Sequence, residues 1–298
     1  MAKAVRESAR GARIGTAAAF AAYGLWGLFP LYWKRLAGVE SLQILCHRIV
    51  WAAVFTAAGL LALRRGGELV ALARNPRRLG FAAAASALIA VNWGTYIWAV
   101  NSGHVAESSL GYYINPLVSV ACGAIFFRER MDKWTAAALA IAASGVAAAS
   151  LLLGAVPWIS LALAASFGLY GLVKKRAGLE PLVGLAAETL IAAPFALAFL
   201  LARRAAGQGA FGGADAAATA LLFLAGLVTA IPLLLFAAAA NRLTLTRLGF
   251  IQYLSPSLQL ALGVFVFGER VQPPLAVAFA SVILAVGLYF LTRSRAKA

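Results

Sequence analysis

The stretch from Leu110 to Arg130 is written twice, 140 residues apart, and this duplication narrows the folds open to the chain more than any other feature. Tyr113, Pro116, Gly123, Phe127, Glu129 and Arg130 return as Tyr253, Pro256, Gly263, Phe267, Glu269 and Arg270. The register persists outside that stretch. Asn241 answers Asn101, and Ala177-Gly178-Leu179-Glu180 answers Ala37-Gly38-Val39-Glu40. With a four-residue shift, Gly24-Leu25-Trp26-Gly27-Leu28 matches Gly168-Leu169-Tyr170-Gly171-Leu172. A match held at one offset across two halves marks an internal duplication.

The repeated unit is apolar. Hydrophobic residues make up 63% of the 298 and charged ones 12%, well beyond a soluble globule, whose apolar share is about half. Runs of about 20 apolar residues suffice to cross a hydrocarbon layer about 30 Å thick. Such runs predict spans at 14–33, 42–63, 79–100, 106–127, 134–153, 157–173, 181–201, 217–238, 248–267 and 273–291. Five spans per copy is an odd number, so the second copy enters the membrane upside down. The expected fold is an all-α polytopic membrane protein with ten transmembrane helices in two inverted five-helix repeats. The repeats cover 14–153 and 157–291, between a basic arm at 1–13 and a basic tail at 292–298. Inverted repeats are a recurrent plan of secondary transporters, with substrate at the repeat interface near the midplane.

A net charge of +16 raises the question of nucleic acid, and its placement answers it. Assigned to alternating sides, 20 Lys and Arg fall with the N-terminus and 5 opposite, with Arg48 inside a span. The positive-inside rule then places both termini in the cytoplasm. The charge meets an anionic inner leaflet, and no nucleic-acid partner is expected. Cys46 and Cys122 fall within spans and read as packing residues, with no disulfide or metal framework. The first span exceeds a signal-peptide core and is expected to stay as the first helix.

The polar residues inside spans are the candidates for chemistry. Arg48 lies about 10 Å below the outer face at about 1.5 Å per residue, where a cation is expensive and marks function unless it snorkels to headgroups. His47 reads as a packing histidine. Asn92 and Tyr96, four apart, share a helix face with Trp93 beside them; Asn92 either bonds another helix or faces a cavity. In the fourth span, Tyr112, Tyr113, Asn115 and Pro116 interrupt the apolar run. Proline has no N–H and frees the carbonyl four residues earlier, which suits either an aromatic-walled cavity or a packing kink. The repeated Tyr253 and Ser255-Pro256 favour the cavity. Gln252, Ser255 and Gln259 form a polar stripe at spacings of three and four, which faces a bundle interior or water. Pro30, Pro194 and Pro232 join Pro116 and Pro256 as expected bends or hinges. Glu188 is the only acid well inside a span, and the 140-residue offset pairs it with Arg48. Their depths differ by about 10 Å, so they are expected to bracket a cavity. Glu129 with Arg130, and Glu269 with Arg270, read as helix-end ion pairs, and 202–216 as a structureless Gly-rich connection.

The motifs His47-Arg48, Asn92-Trp93, Ser109-Leu110-Gly111-Tyr112 with Ile114-Asn115-Pro116, Glu188-Thr189 and Gln252-Tyr253 resemble the RarD (chloramphenicol-sensitive permease-like) group. That group lies in the EamA branch of the drug/metabolite transporter superfamily, and the resemblance covers essentially the whole chain. It implies a bacterial inner-membrane permease with a basket-like helix bundle, and leaves the substrate open.

The expected function is a secondary transporter, working as an exporter of a small organic solute, metabolite or drug by alternating access. Arg48 would attract an anionic group and Glu188 a cationic group or a proton, with Tyr113, Tyr253, Trp93 and Tyr96 as walls. There is no P-loop pattern, so ATP drive is not expected. No cofactor is expected either, while a nearly neutral buried carboxyl at Glu188 suits proton coupling. A flippase for a lipid-linked sugar is the alternative. An intramembrane enzyme would need a metal cluster or paired carboxylates, and the two histidines, His47 and His104, show no ligand spacing. Gly-x-x-Gly spacings leave monomer and homodimer both open.

Overall fold

The computed structural model describes residues 2–36, 38–101, 105–129, 131–154, 158–213, 215–266 and 273–295. Its regular structure is helical throughout. In order come α1 (Ala2–Trp33), a 3₁₀ turn (Lys34–Leu36), α2 (Ser41–Ala62), α3 (Gly66–Ala73), α4 (Pro76–Asn101), α5 (Val105–Phe127) and α6 (Lys133–Leu153). Then follow α7 (Trp158–Ala177), α8 (Pro181–Ala205), α9 (Ala216–Ala240), α10 (Leu245–Gln252), α11 (Leu254–Ala261), a π-helical turn (Leu262–Val266) and α12 (Pro273–Arg295).

Local chemistry sets the helix ends. Asp132, Glu180, Asp215 and Thr244 each cap a helix, their side chains accepting from free backbone N–H groups of the first turn, which would otherwise lack partners. Pro76, Pro181 and Pro273 open α4, α8 and α12, where the missing N–H costs nothing. Gly154 closes α6 at φ 71°, a left-handed conformation that favours glycine.

Seven helices among the described residues are long and apolar enough to cross a membrane: Arg10–Leu36, Ser41–Ala62, Pro76–Tyr96, Lys133–Leu152, Pro181–Ala205, Ala216–Ala240 and Leu245–Val266. The predicted spans at 106–127, 157–173 and 273–291 also coincide with helices. Two of these are shorter as apolar stretches, Gly111–Phe127 and Ala276–Tyr289, and α7 ends on Lys174, Lys175 and Arg176. The chain is an all-helical, multi-pass membrane protein.

Several boundaries differ from expectation. The basic arm is a helical continuation of the first span, since α1 runs unbroken from Ala2. The basic connection at 64–78 contains α3. The ninth span starts at Leu245 and breaks at Tyr253, because Pro256 cannot donate to the carbonyl of Gln252. The connection at 202–216 is tied down. Gln43 donates to Gln208 O (2.9 Å) and accepts from Ala210 N (2.9 Å), and Phe211 stacks on His47 at 5.1 Å. Phe211 also meets Trp51, and Arg203 pairs with Glu40 across the same end. Glycine content signals turns, and here these side-chain anchors hold the turns against the bundle.

The bundle packs α6 on α12, α5 on α7 and α10, and α2 on α8 and α9; α4 lies on α7 and α8, and α1 on α9, α10 and α11. Between apolar helices in lipid, association depends on close contact, which small residues permit. A Cβ on Gly226 of α9 would lie 2.5 Å from the Trp51 carbonyl carbon and 2.7 Å from Ala52 N of α2. A Cβ on Gly145 of α6 would come within 2.2 Å of Ser281 Cβ on α12. Backbone cannot move aside as a flexible side chain can. Gly226→Ala is therefore expected to lower the thermal stability of the detergent-solubilised protein, by about 1–3 kcal/mol as for other overpacked contacts. Gly24→Ala, where a Cβ meets open space, should leave the melting temperature unchanged.

Candidate functional site

Inside the bundle lies a cavity of about 230 Å³. Its lining comes from α1 (Tyr23, Trp26, Phe29, Pro30, Trp33), α2 (Arg48), α4 (Ile89, Asn92, Trp93, Tyr96) and α5 (Tyr112, Asn115). Opposite stand α7 (Phe167), α9 (Thr229, Leu233), α10 (Gln252) and α11 (Ser255, Pro256, Gln259). A concave, largely aromatic chamber with a few polar groups is the usual form of a small-molecule site, and this volume lies below the usual range of about 300–1,000 Å³ for such pockets.

Each polar group in the wall has a different partner history. The Arg48 guanidinium is held between two indoles, 4.7 Å from the ring centroids of both Trp33 and Trp93. Its Nε donates to Thr229 Oγ1 at 2.9 Å. Arg48 thus lies on the cavity and does not run out toward the bundle end. Asn92 is engaged by a neighbouring helix, its Nδ2 donating to Leu163 O (2.9 Å) and Ser166 Oγ (3.0 Å) of α7. Gln259 Nε2 donates to Trp26 O at 3.0 Å. Trp26 is the residue four before Pro30, so the amide of Gln259 meets the carbonyl that this proline frees. Tyr23 OH lies 3.4 Å from Gln252 Oε1. Asn115 is fully buried, and neither its Oδ1 nor its Nδ2 has a partner.

Three residues expected at the site lie elsewhere. Tyr113 and Tyr253 do not wall the cavity. Their rings stack on each other with centroids 6.5 Å apart, in a separate cluster with Phe250, Phe279 and Tyr289. Each sits next to a lining residue in sequence, and the roughly 100° turn per residue carries it to the other side of its helix. Glu188 does not bracket the cavity with Arg48. Its Oε1 accepts from Lys174 Nζ at 2.7 Å and its Oε2 from Tyr170 OH at 3.1 Å, with both charged side chains under 10% exposed. Lys174 lies in the basic last turn of α7, yet its side chain folds into the bundle, where the carboxylate needs a cation. Glu188 adjoins a small void whose lining shares Ile89, Trp93 and Leu233 with the main cavity.

Of the expected hinges, Pro30 and Pro256 line the cavity, Pro116 presents its carbonyl 3.0 Å from where a Cβ on Gly249 would stand, and Pro194 and Pro232 sit within α8 and α9. Sequence reasoning did not single out Trp33, Phe29 or Phe167, and noted Thr229 in the eighth span without giving it a role. The aromatic density of the first helix was the available signal for the first two. Nothing along the chain marks Phe167 apart from core residues, while Thr229 carried the signal of a polar residue inside a span.

The basic end of the bundle is closed by Glu129. Arg128 adopts φ 52°, ending α5 and turning the chain back. Gly123 leaves room for the returning carboxylate, since a Cβ there would lie 2.7 Å from Glu129 Oε2. The carboxylate accepts from Leu245 N (2.9 Å), Thr246 N (3.0 Å), Thr246 Oγ1 (2.8 Å) and Lys175 Nζ (3.0 Å). It thus occupies the positive end of α10, where an anion is favoured. Arg130, Glu269 and Arg270, expected in similar pairs, and His104, counted for metal spacing, lie outside the described residues.

Comparison with known proteins follows the same lines. The sequence model of the EamA-like transporter family matches this chain twice, over residues 13–151 and 155–291. Protein RarD of Streptomyces exfoliatus is 46% identical over 276 residues, covering 92% of this chain and 87% of that protein. The uncharacterized transporter YojE of Bacillus subtilis (strain 168) is 45% identical over 270 residues, covering 89% of each. A Pseudomonas aeruginosa protein named chloramphenicol-sensitive protein RarD is 32% identical over 276 residues, covering 91% of this chain and 92% of that one. One crystal structure, 21% identical, superposes with a TM-score of 0.70 over 93% of this chain and 97% of its own. That likeness concerns the fold alone.

The Glu129 cluster carries a pH test. Burial raises the carboxyl's pKa, and hydrogen bonds from Thr246, Leu245 and Lys175 outweigh it, leaving the group below its ordinary value. A depressed folded-state pKa contributes stability that is full above the unfolded value, about 4.3 for glutamate, and is lost as pH falls through the folded value. At neutral pH, Glu129→Gln is expected to reduce stability by about 1.5–3 kcal/mol, typical of charge-assisted bonds. Thermal melts of both proteins across pH should show that difference closing as acid protonates Glu129.

Proposed function

The chain belongs to the EamA-like transporter family, in its RarD-type group, and from that premise we propose that it is a secondary active transporter exporting a small organic solute by alternating access. In this reading 14–153 and 157–291 are oppositely oriented five-helix units in the bacterial inner membrane, with both termini cytoplasmic. The observation that carries it is the cavity, one wall of which comes from α1, α2, α4 and α5 and the other from α7, α9, α10 and α11. Repeat-built transporters hold substrate between their related halves.

The helix contacts support the same division. Exchange each helix for its counterpart and the α1–α9 contact becomes α7–α4, while α5–α7 becomes the contact of α10 and α11 with α1. The α2–α8, α5–α10 and α6–α12 contacts map onto themselves. Rocking one unit against the other would open the cavity to each side in turn, with the Glu129 cluster parting at one end.

In proteoliposomes, saturable counterflow of one class from a panel of amino acids, nucleosides and amphiphilic drugs is expected. Inside-out vesicles should take the solute up under a proton gradient, the direction of export. Ser255→Trp, which fills the cavity, should abolish exchange while the protein stays folded. No exchange of any soluble compound, with competition by lipid-linked sugars, would replace this reading with a flippase.

Proton coupling belongs in this reading to the Glu188–Lys174 pair. Lys174 and Tyr170 are the titratable groups facing Glu188 among the described residues, and Trp93, Ile89 and Leu233 connect that void to the cavity. Replacing one member alone would leave a buried charge unpaired, at about 3–5 kcal/mol. The paired replacement Lys174→Gln with Glu188→Gln should retain counterflow and lose pH-driven accumulation. Unchanged accumulation would remove the pair from coupling.

A further inference from the structure

Among the described residues, Arg48 is a cation in the cavity wall without a counterion. Its Nε is bound to Thr229, and among the described residues nothing accepts from its two terminal nitrogens. The described cavity lining contains no Asp or Glu. Glu188, the carboxylate buried beside the adjoining void, is already matched by Lys174. The indoles of Trp33 and Trp93 flank the guanidinium and attract its charge through their faces. They do not neutralise it. A charge inside an apolar bundle is expected to have a partner, and where the protein supplies none the occupant of the cavity must.

Asn115 makes an independent demand. It is 0% exposed, borders the same cavity, and holds both a donor and an acceptor without a partner. Buried amides are nearly always engaged. An amide with both ends free complements a ligand group that carries its own donor and acceptor, such as a secondary amide. Such a site rejects analogues lacking the matching group, because the buried polar atoms then stay unpaired.

Resting on the transporter reading above, we propose that the substrate is an organic monoanion. Its carboxylate sits on the two free nitrogens of Arg48, an amide-like group faces Asn115, and a planar apolar body lies against Trp26 and Phe167. The guanidinium fork, pinned at Nε, offers the two parallel donors that a carboxylate matches. Cations meet the uncompensated Arg48 and are disfavoured. A zwitterionic amino acid brings an ammonium for which the described lining holds no carboxylate.

The test uses four matched probes with the full-length protein: N-acetylphenylalanine (anion), N-acetylphenylalaninamide (neutral), phenylalaninamide (cation) and phenylalanine (zwitterion). Binding in detergent is read from indole fluorescence, since Trp33 and Trp93 flank the charge, and from thermal stabilisation. The anion is expected to bind at least tenfold more tightly than each of the others. Arg48→Gln should remove that preference, Arg48→Lys should retain part of it, and Asn115→Leu should weaken the acetylated anion relative to phenylacetate.

Equal binding of all four, preference for the cation, or binding of none overturns the proposal. So does displacement of the anion by phosphatidylglycerol in mixed micelles at lower concentration, which would assign the site to a lipid headgroup. Counterflow separates the two readings. Exchange indifferent to charge sinks the monoanion and keeps the carrier. Anion binding without exchange of any solute sinks the carrier and keeps the monoanion site.

Discussion

Polar groups carried into an apolar bundle have no water to turn to, so each must find its partner within the protein or in whatever fills it. That constraint organises the interior here. The carbonyl that Pro30 frees is met by Gln259, Asn92 is held by α7, and Glu188 draws Lys174 in from the end of its helix. Ser86 Oγ donates to Glu188 O at 2.8 Å, tying α4 to α8 at the same level. The terminal nitrogens of Arg48 and both ends of the Asn115 amide are left without such a match at the cavity, while Trp51 Nε1 and the hydroxyls of Tyr113 and Tyr253 are left away from it. At the cavity the unmatched groups are a cation and an amide, the two that a bound molecule could complement.

The packing around it keeps that place defined. Glycines at the α2–α9 and α6–α12 contacts bring backbones close, and dispersion between such surfaces replaces the hydrophobic drive that lipid does not supply. In and behind the cavity wall, Tyr23, Trp26, Phe167, Tyr170 and Phe236 interlock through edge-on and stacked contacts. At one end Glu129 fastens α5 to α10, and at the other Gln43 and Phe211 fasten the 202–216 connection.

The two copies of the sequence motif are alike in outline and unlike in charge. Arg48 and Glu188 occupy equivalent places at the 140-residue offset. Lys174, which neutralises Glu188, has Lys34 as its own equivalent, a like charge for Arg48. The second copy therefore closes on itself while the first leaves a cation facing inward. Duplication built the frame, and divergence at a few positions built the chemistry within it.

The chain alone determines that it is a helical membrane protein, because apolar runs of sufficient length have no other stable arrangement in lipid. The repeated Tyr-x-x-Pro segment, the polar stripe of Gln252, Ser255 and Gln259, and Arg48 were all legible, since period and residue type show which groups cannot face lipid. Which polar residue meets which was decided by tertiary structure. Asn92 and Gln259 bond backbone carbonyls on other helices, and no spacing along one helix reveals that. Tyr112 and Tyr113 are neighbours in sequence, yet only the first faces the cavity, because helix rotation is set by the helices packed around it. Glu188 and Lys174 are 14 residues apart, on different helices, and sequence charge counting left the lysine at the surface. The low dielectric of the folded bundle is what draws that pair together, and it exists only once the helices have packed.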